Sequence, residues 1–186
     1  MKRVLFIVIL CLLPSLCLGL SPEYKSSMLG EMRFLLWSHP HVVYVWGAAD
    51  PYDKNAADCS GTFYGICHRI GMPVQRTTAY EMEAGRAGWK NRATYLDKAG
   101  ESAIVWWTWP GKEATRPHGH IGMLMVNPNS GLLEVVHNNL SKGLHIEPLE
   151  NALLDYISSI KDLTIGEKEV PKLGPGVKQV LPKDKK

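Results

Sequence analysis

The spacing of apolar residues changes several times along the chain. Near the start it is helical: Met28, Met32, Leu35 and Leu36 form one face, with Ser26 or Ser27 as N-cap and His39-Pro40 as the stop. Val42 to Trp46 reads as a short extended segment. A second helix follows, with Phe63, Ile66, Cys67 and Ile70 on its apolar stripe, Asp58 as N-cap and Gly71 as the residue that ends it. Gln75 to Gly88 is helix-like with a weak pattern, and Asn91 to Lys98 reads as a loop with one strand turn. Ala103 to Trp109 is rich in β-branched and aromatic residues and stops at Pro110-Gly111, the signature of a strand. Gly119 to Val126 and Leu132 to Asn138 flank Asn-Pro-Asn-Ser-Gly, a hairpin signal. Glu147 to Lys161 returns to helical spacing, with Pro148 in the first turn and Leu149, Ala152, Leu153, Tyr156, Ile157 and Ile160 as its stripe. These elements predict an α+β fold with a helical N-terminal half packed on a central antiparallel sheet.

The two ends stand apart from this pattern. Residues 1–19 have the layout of a secretory signal: Lys2 and Arg3, the apolar run Val4 to Leu13, then Pro14 and a small residue at Gly19. That run is too short to span a membrane with ordinary flanks, so the chain is expected to be exported to the periplasm or beyond the cell with no transmembrane span after cleavage. Residues 167–186 hold three prolines and six lysines against three acids, the composition of a disordered tail. One domain over residues 20–166 remains, which suits a chain of 186 residues. Loss of Lys2 and Arg3 leaves 19 of the 21 basic residues against 18 acidic ones, a near-neutral chain that excludes nucleic acid as the expected partner.

Two of the four cysteines, Cys11 and Cys17, leave with the signal. Cys59 and Cys67 then lie eight positions apart on one helix, roughly 12 Å at about 1.5 Å per residue, which is out of disulfide reach. Cys59 falls in the first helical turn after Asp58, where unpaired N–H groups and the helix dipole favour a thiolate of lowered pKa that faces out of the helix. A small buried thiol near a cap is the alternative. In the hairpin, a four-residue loop over Asn127 to Ser130 would set His120 directly opposite His137 on one sheet face. Thiol, imidazole and a second imidazole in that order meet the needs of nucleophilic catalysis: Cys59 attacks, His120 takes its proton, and His137 holds the other ring nitrogen of His120.

Tyr44-Val45-Trp46-Gly47, Asp58-Cys59-Ser60-Gly61, Arg76-Thr77-Thr78, His120-Ile121-Gly122-Met123 and the later His137, in this order over Val42 to Asn138, resemble the NlpC-type cell-wall cysteine peptidases. The resemblance implies a papain-like fold and a thioester mechanism that needs no cofactor. It also implies hydrolysis of peptidoglycan stem peptides after γ-D-glutamate by a monomer. Carried over residue by residue, it gives Cys59, His120 and His137 the catalytic roles, sets Tyr44 beside the nucleophile, and lets Asp58 and Ser60 help hold the free amine and backbone of the stem peptide.

Other readings stand beside it. The same triad would serve an amidase cutting between muramic acid and L-alanine, or an acyltransferase. A binding module with a dead site would hold the wall through its tail or through Trp106, Trp107 and Trp109, although strand tryptophans are more often core. His118, His120 and His137 would make a zinc set if they shared a face. His39, His41, His68 and His145 have no partner in the sequence and read as surface or loop residues, and Cys67 as a buried small hydrophobe.

Overall fold

The computed structural model describes residues 22–152 and 156–163; the signal segment and the basic tail lie outside them. The chain runs α1 (Pro22–Ser38), β1 (Val43–Tyr44), β2 (Ala49–Asp50), β3 (Ala56–Ala57), α2 (Cys59–Arg69), α3 (Ala79–Glu83), β4 (Asn91–Ala93), β5 (Ile104–Trp107), β6 (His120–Val126), β7 (Leu133–Asn139), β8 (Gly143–Glu147) and β9 (Ile157–Leu163). It is an α+β fold dominated by a six-stranded antiparallel sheet of order β4-β9-β5-β6-β7-β8.

Alternation along the strands sorts side chains onto two faces. Ile104, Trp106, Ile121, Met123 and Val136 pack against the buried stripes of α1 (Met28, Met32, Leu35) and α2 (Phe63, Ile66, Cys67). Val105, Trp107, Leu124 and Val135 face the other way, towards Ala152, Tyr156 and Ile160. Trp106 and Trp107 are core, whereas Trp109 is partly exposed. Among the described residues no helix is long and apolar enough to cross a membrane.

Several expectations need correction. The N-terminal half is not a helical block, because β1, β2 and β3 form a small sheet of their own between α1 and α2. The first helix begins at Pro22, so Ser26 and Ser27 lie inside it rather than at its cap. Only Ala79–Glu83 of the Gln75–Gly88 stretch is helical; Thr78 caps it, and Gly85 and Gly88 take left-handed φ values of 72° and 84° that helix does not allow. The helix expected from Glu147 to Lys161 does not form: Glu147 ends β8, residues 149–152 turn, and β9 inserts between β4 and β5.

The hairpin closes with a wider connection than expected, and β6 pairs β7 with Val126 opposite Leu133 and Gly122 opposite His137. His120 is therefore not opposite His137 but two residues away on the same diagonal. A slip of two keeps every side chain on its face, so the two imidazoles still share one.

Candidate active site

Asp58 organises the loop that carries the cysteine. Its backbone is extended (φ −84°, ψ −179°), and its Oδ1 accepts from the Gly61 N–H at 2.6 Å and from the Ser60 hydroxyl at 3.0 Å. Its Oδ2 accepts from the Gly47 N–H at 3.0 Å and from Arg76 Nη2 at 2.6 Å, while Arg76 Nη1 donates to Ser60 Oγ at 2.8 Å. Both oxygens are thus taken by the protein itself, and the same holds for the Ser60 hydroxyl. Gly61 lets this corner close: a Cβ there would lie 2.0 Å from the Ala48 carbonyl oxygen, the atom that accepts from the Asp58 N–H.

Cys59 opens α2 as expected, but it is 5% exposed rather than facing out. Its thiol points to the Gly119 carbonyl at 4.0 Å and is met by the N–H groups of Ser60 and Ile121. The β6–β7 ladder stops at Gly122 and His137, so the sulfur enters one residue beyond the point where the two strands part, against backbone on both sides of His120. Asn138 fixes this approach from β7, because its Nδ2 donates to the Ala57 carbonyl at 2.9 Å and to Thr62 Oγ1 at 3.2 Å.

The thiol is not held as a thiolate. Burial first, and the Asp58 charge second, push its pKa up to about 11, which outweighs the pull of the two N–H groups and of Arg76. The helix start does favour the thiolate, but the protein that covers the sulfur disfavours it more. Cys67 is likewise pushed up by burial, and both cysteines are free.

His120 and His137 meet directly, with His120 Nε2 2.8 Å from His137 Nδ1. Both rings lie on Trp107, at centroid distances of 5.2 and 5.5 Å. Gly122 makes room for that indole, since a Cβ there would lie 2.8 Å from the ring. The chain of bonds continues to a residue the sequence did not single out: His137 Nε2 lies 2.8 Å from Glu147 Oε1, and Lys142 Nζ donates to Glu147 Oε2 at 2.9 Å. Burial would raise the Glu147 pKa, but the hydrogen bonds from Lys142 and His137 prevail and hold it below the usual carboxylate value. The carboxylate therefore only accepts, and this fixes the tautomers. His137 carries its proton on Nε2 and accepts at Nδ1, so His120 donates from Nε2 and keeps a bare lone pair on Nδ1. Burial first, and then the charge of His137, push the His120 pKa down to about 3, so the ring is neutral at pH 7.

Two clefts flank this point. One, of about 690 Å³, is lined by Tyr44, Trp109, His120, His137 and Glu147; the other, of about 800 Å³, by Cys59, Ser60, Arg76 and Tyr80. Trp46, Arg116 and Gly119 line both, with the Arg116 guanidinium 4.7 Å from the centroid of the exposed Trp46 indole. Burial, followed by the charges of Cys59 and Asp58, pushes the Tyr44 pKa up to about 12, so its hydroxyl remains a donor.

His118 does not join the other histidines. Its Nδ1 bonds Ser158 Oγ at 2.8 Å, and its Nε2 lies 4.0 Å from Glu83, so the His118, His120 and His137 zinc set is not assembled. His145, expected on the surface, instead packs against His137 on β8. The signal for Glu147 was two-residue alternation, with His145 and Glu147 on one face of a strand beside β7; assigning Glu147 to a helix start hid it. No protein-family model and no curated protein sequence matches this chain.

Proposed function

We propose that this protein is a papain-like, NlpC-type cysteine peptidase that is exported and hydrolyses amide bonds in peptidoglycan stem peptides after γ-D-glutamate. What supports the reading is the hydrogen-bonded series Glu147–His137–His120 together with the Cys59 sulfur at the carbonyl of Gly119, the residue before His120. With the first two members fixing protons, the bare Nδ1 of His120 is the atom left to act as base.

Both thiol and imidazole are neutral in the free enzyme, so proton transfer accompanies attack. The Cys59 thiol proton passes to His120 Nδ1 as the Sγ–C bond to the scissile carbonyl forms. The oxyanion is met by first-turn N–H groups of α2 and by the Tyr44 hydroxyl. The C–N bond then breaks, and His120 returns its proton to the leaving amine. Water, deprotonated by the same nitrogen, cleaves the thioester and restores the thiol. His137 and Glu147 hold the imidazolium that forms twice in this cycle.

Asp58 and Ser60 enter this reading chiefly through Arg76 and the Gly47–Gly61 corner, which they hold beside the thiol. The Arg116 cation lines both clefts and suits a peptide that carries free carboxylates. An amidase or acyltransferase would use the same residues on another bond, and a dead binding module would leave Cys59 without a task. Digestion of purified peptidoglycan by wild type and Cys59→Ala separates these. The reading expects free fragments ending in γ-D-glutamate with wild type and none with the variant. Fragments cut between muramic acid and L-alanine would replace it with the amidase reading, and intact wall in both samples would overturn it.

A further inference from the structure

The β7–β8 ladder places His145 directly opposite His137, and Glu147 lies two residues further along β8 on the same face. The two imidazole centroids are 4.5 Å apart. His145 Nδ1 lies 2.9 Å from the Gly143 carbonyl, which only accepts, so Nδ1 donates there and Nε2 is the nitrogen left to take another partner. That Nε2 is sealed from solvent and has no hydrogen-bond partner. It faces Glu147 Oε2 at 3.4 Å, two donor atoms close enough for one cation to take both. Lys142 already brings a cation to Glu147 at 2.9 Å, on an exposed stem that can swing away, but it leaves His145 unserved.

We propose that His137, His145 and Glu147 bind a divalent transition-metal ion of the zinc type, and that its binding switches the hydrolytic site off. The three donor atoms lie within 4.8 Å of one another, so small side-chain rotations bring them onto one ion. Two imidazoles and a carboxylate are donors that zinc takes readily and that calcium and magnesium do not prefer. The Gly143 carbonyl on His145 Nδ1 is the outer-shell contact that orients a ligating imidazole. The cleft lined by His137, Lys142 and Glu147 gives the ion its way in and leaves its remaining position to water.

The switching half rests on the proposed hydrolase reading. A metal on His137 Nε2 needs the lone pair at that atom, so the neutral ring keeps its proton on Nδ1. Nδ1–H then donates to His120 Nε2, and the His120 proton moves to Nδ1. Each ring still carries one proton, and Lys142 leaves with its charge for solvent. The atom that would accept the thiol proton is now occupied, and the metal has also taken Glu147.

Zinc titration by calorimetry on Cys59→Ala, which removes the thiol as a competing ligand, is the test. One ion per chain is expected, with affinity lowered more than about tenfold when His145→Gln is added, since loss of even an outer-shell contact costs that much. Lys142→Met should tighten binding. In the active protein, zinc should inhibit reversibly by chelator, and His145→Gln should keep its basal activity while resisting zinc. No binding to Cys59→Ala, or equal affinity in the His145→Gln variant, overturns the metal site. Binding through His145 without inhibition of an active wild type overturns the switch. Calorimetry decides the site even if the chain hydrolyses nothing, so the two readings fail separately.

Discussion

Glu147 is the residue on which the protonation of the site turns. A carboxylate at the end of a two-imidazole series makes His137 donate outward and accept inward, and so leaves the bare ring nitrogen at His120 Nδ1. Glu147→Gln keeps an acceptor of the same shape but loses the charge. One charge-assisted hydrogen bond is worth about 1.5–3 kcal/mol, so kcat should fall about ten- to a hundredfold with little change in KM. The negative charge of Glu147 also favours protonated His120, so its loss should move the acid limb of the kcat profile to lower pH, a shift that a merely structural role would not produce. His120→Ala should reduce kcat by about a hundredfold or more, the scale of a lost general base. His137→Ala should lower it while leaving the far-ultraviolet circular dichroism unchanged. The meeting of His120 and His137 was legible from strand alternation, and the place of Cys59 at the start of α2 from the Asp58 cap. The thiol's protonation was not, because a sequence reports a helix start but not how much protein will cover it.

At the scale of elements, the site depends on how α2 is set against the gap between β6 and β7. Asn138 is the clamp, and it is fully buried beside His137. Asn138→Ala removes one bond each from the Thr62 hydroxyl and the Ala57 carbonyl, which keep the Asp58 carbonyl and the Val45 N–H as partners, so the cost is that of two buried hydrogen bonds at about 0.5–1.5 kcal/mol each. For a chain of this size each kcal/mol is worth about 2–4 °C, so the melting temperature should drop by several degrees. A melting temperature unchanged within a degree would remove Asn138 from this role. The hairpin was legible from its turn residues, and its register was off by the two positions that preserve the faces. The segment that failed is the last one. Leu149, Ala152, Tyr156, Ile157 and Ile160 fit a helical stripe, yet Ile157–Leu163 gains two ladders, to β4 and β5, and Thr108 Oγ1 donates to Ser158 Oγ. Pairing with strands fifty or more residues earlier outweighs local periodicity, and nothing in a window of about fifteen residues shows that those partners exist.

Over the whole molecule, the buried neutral pair links stability to pH at both ends. An unfolded histidine binds a proton below about pH 6.5, while folded His120 resists it until about pH 3. The unfolded chain therefore holds more protons in that window, and stability falls as pH drops through it. Cys59 acts in the opposite sense: unfolded it ionises above about pH 9, and folded only near pH 11, so stability also falls as pH rises through that range. Urea melts from pH 4 to 10 should give a dome, and His120→Asn should flatten its acid side; an unchanged acid slope would contradict the buried neutral imidazole. The central claim, that Cys59 carries the acyl group of a stem peptide, is tested most directly by acid-quenching a reaction with an L-alanyl-γ-D-glutamyl-diamino acid peptide and weighing the Cys59-containing fragment. The account predicts a thioester adduct of L-alanyl-γ-D-glutamate on Cys59 in wild type and none in Cys59→Ala, and release of the diamino acid at full rate by Cys59→Ala would contradict it.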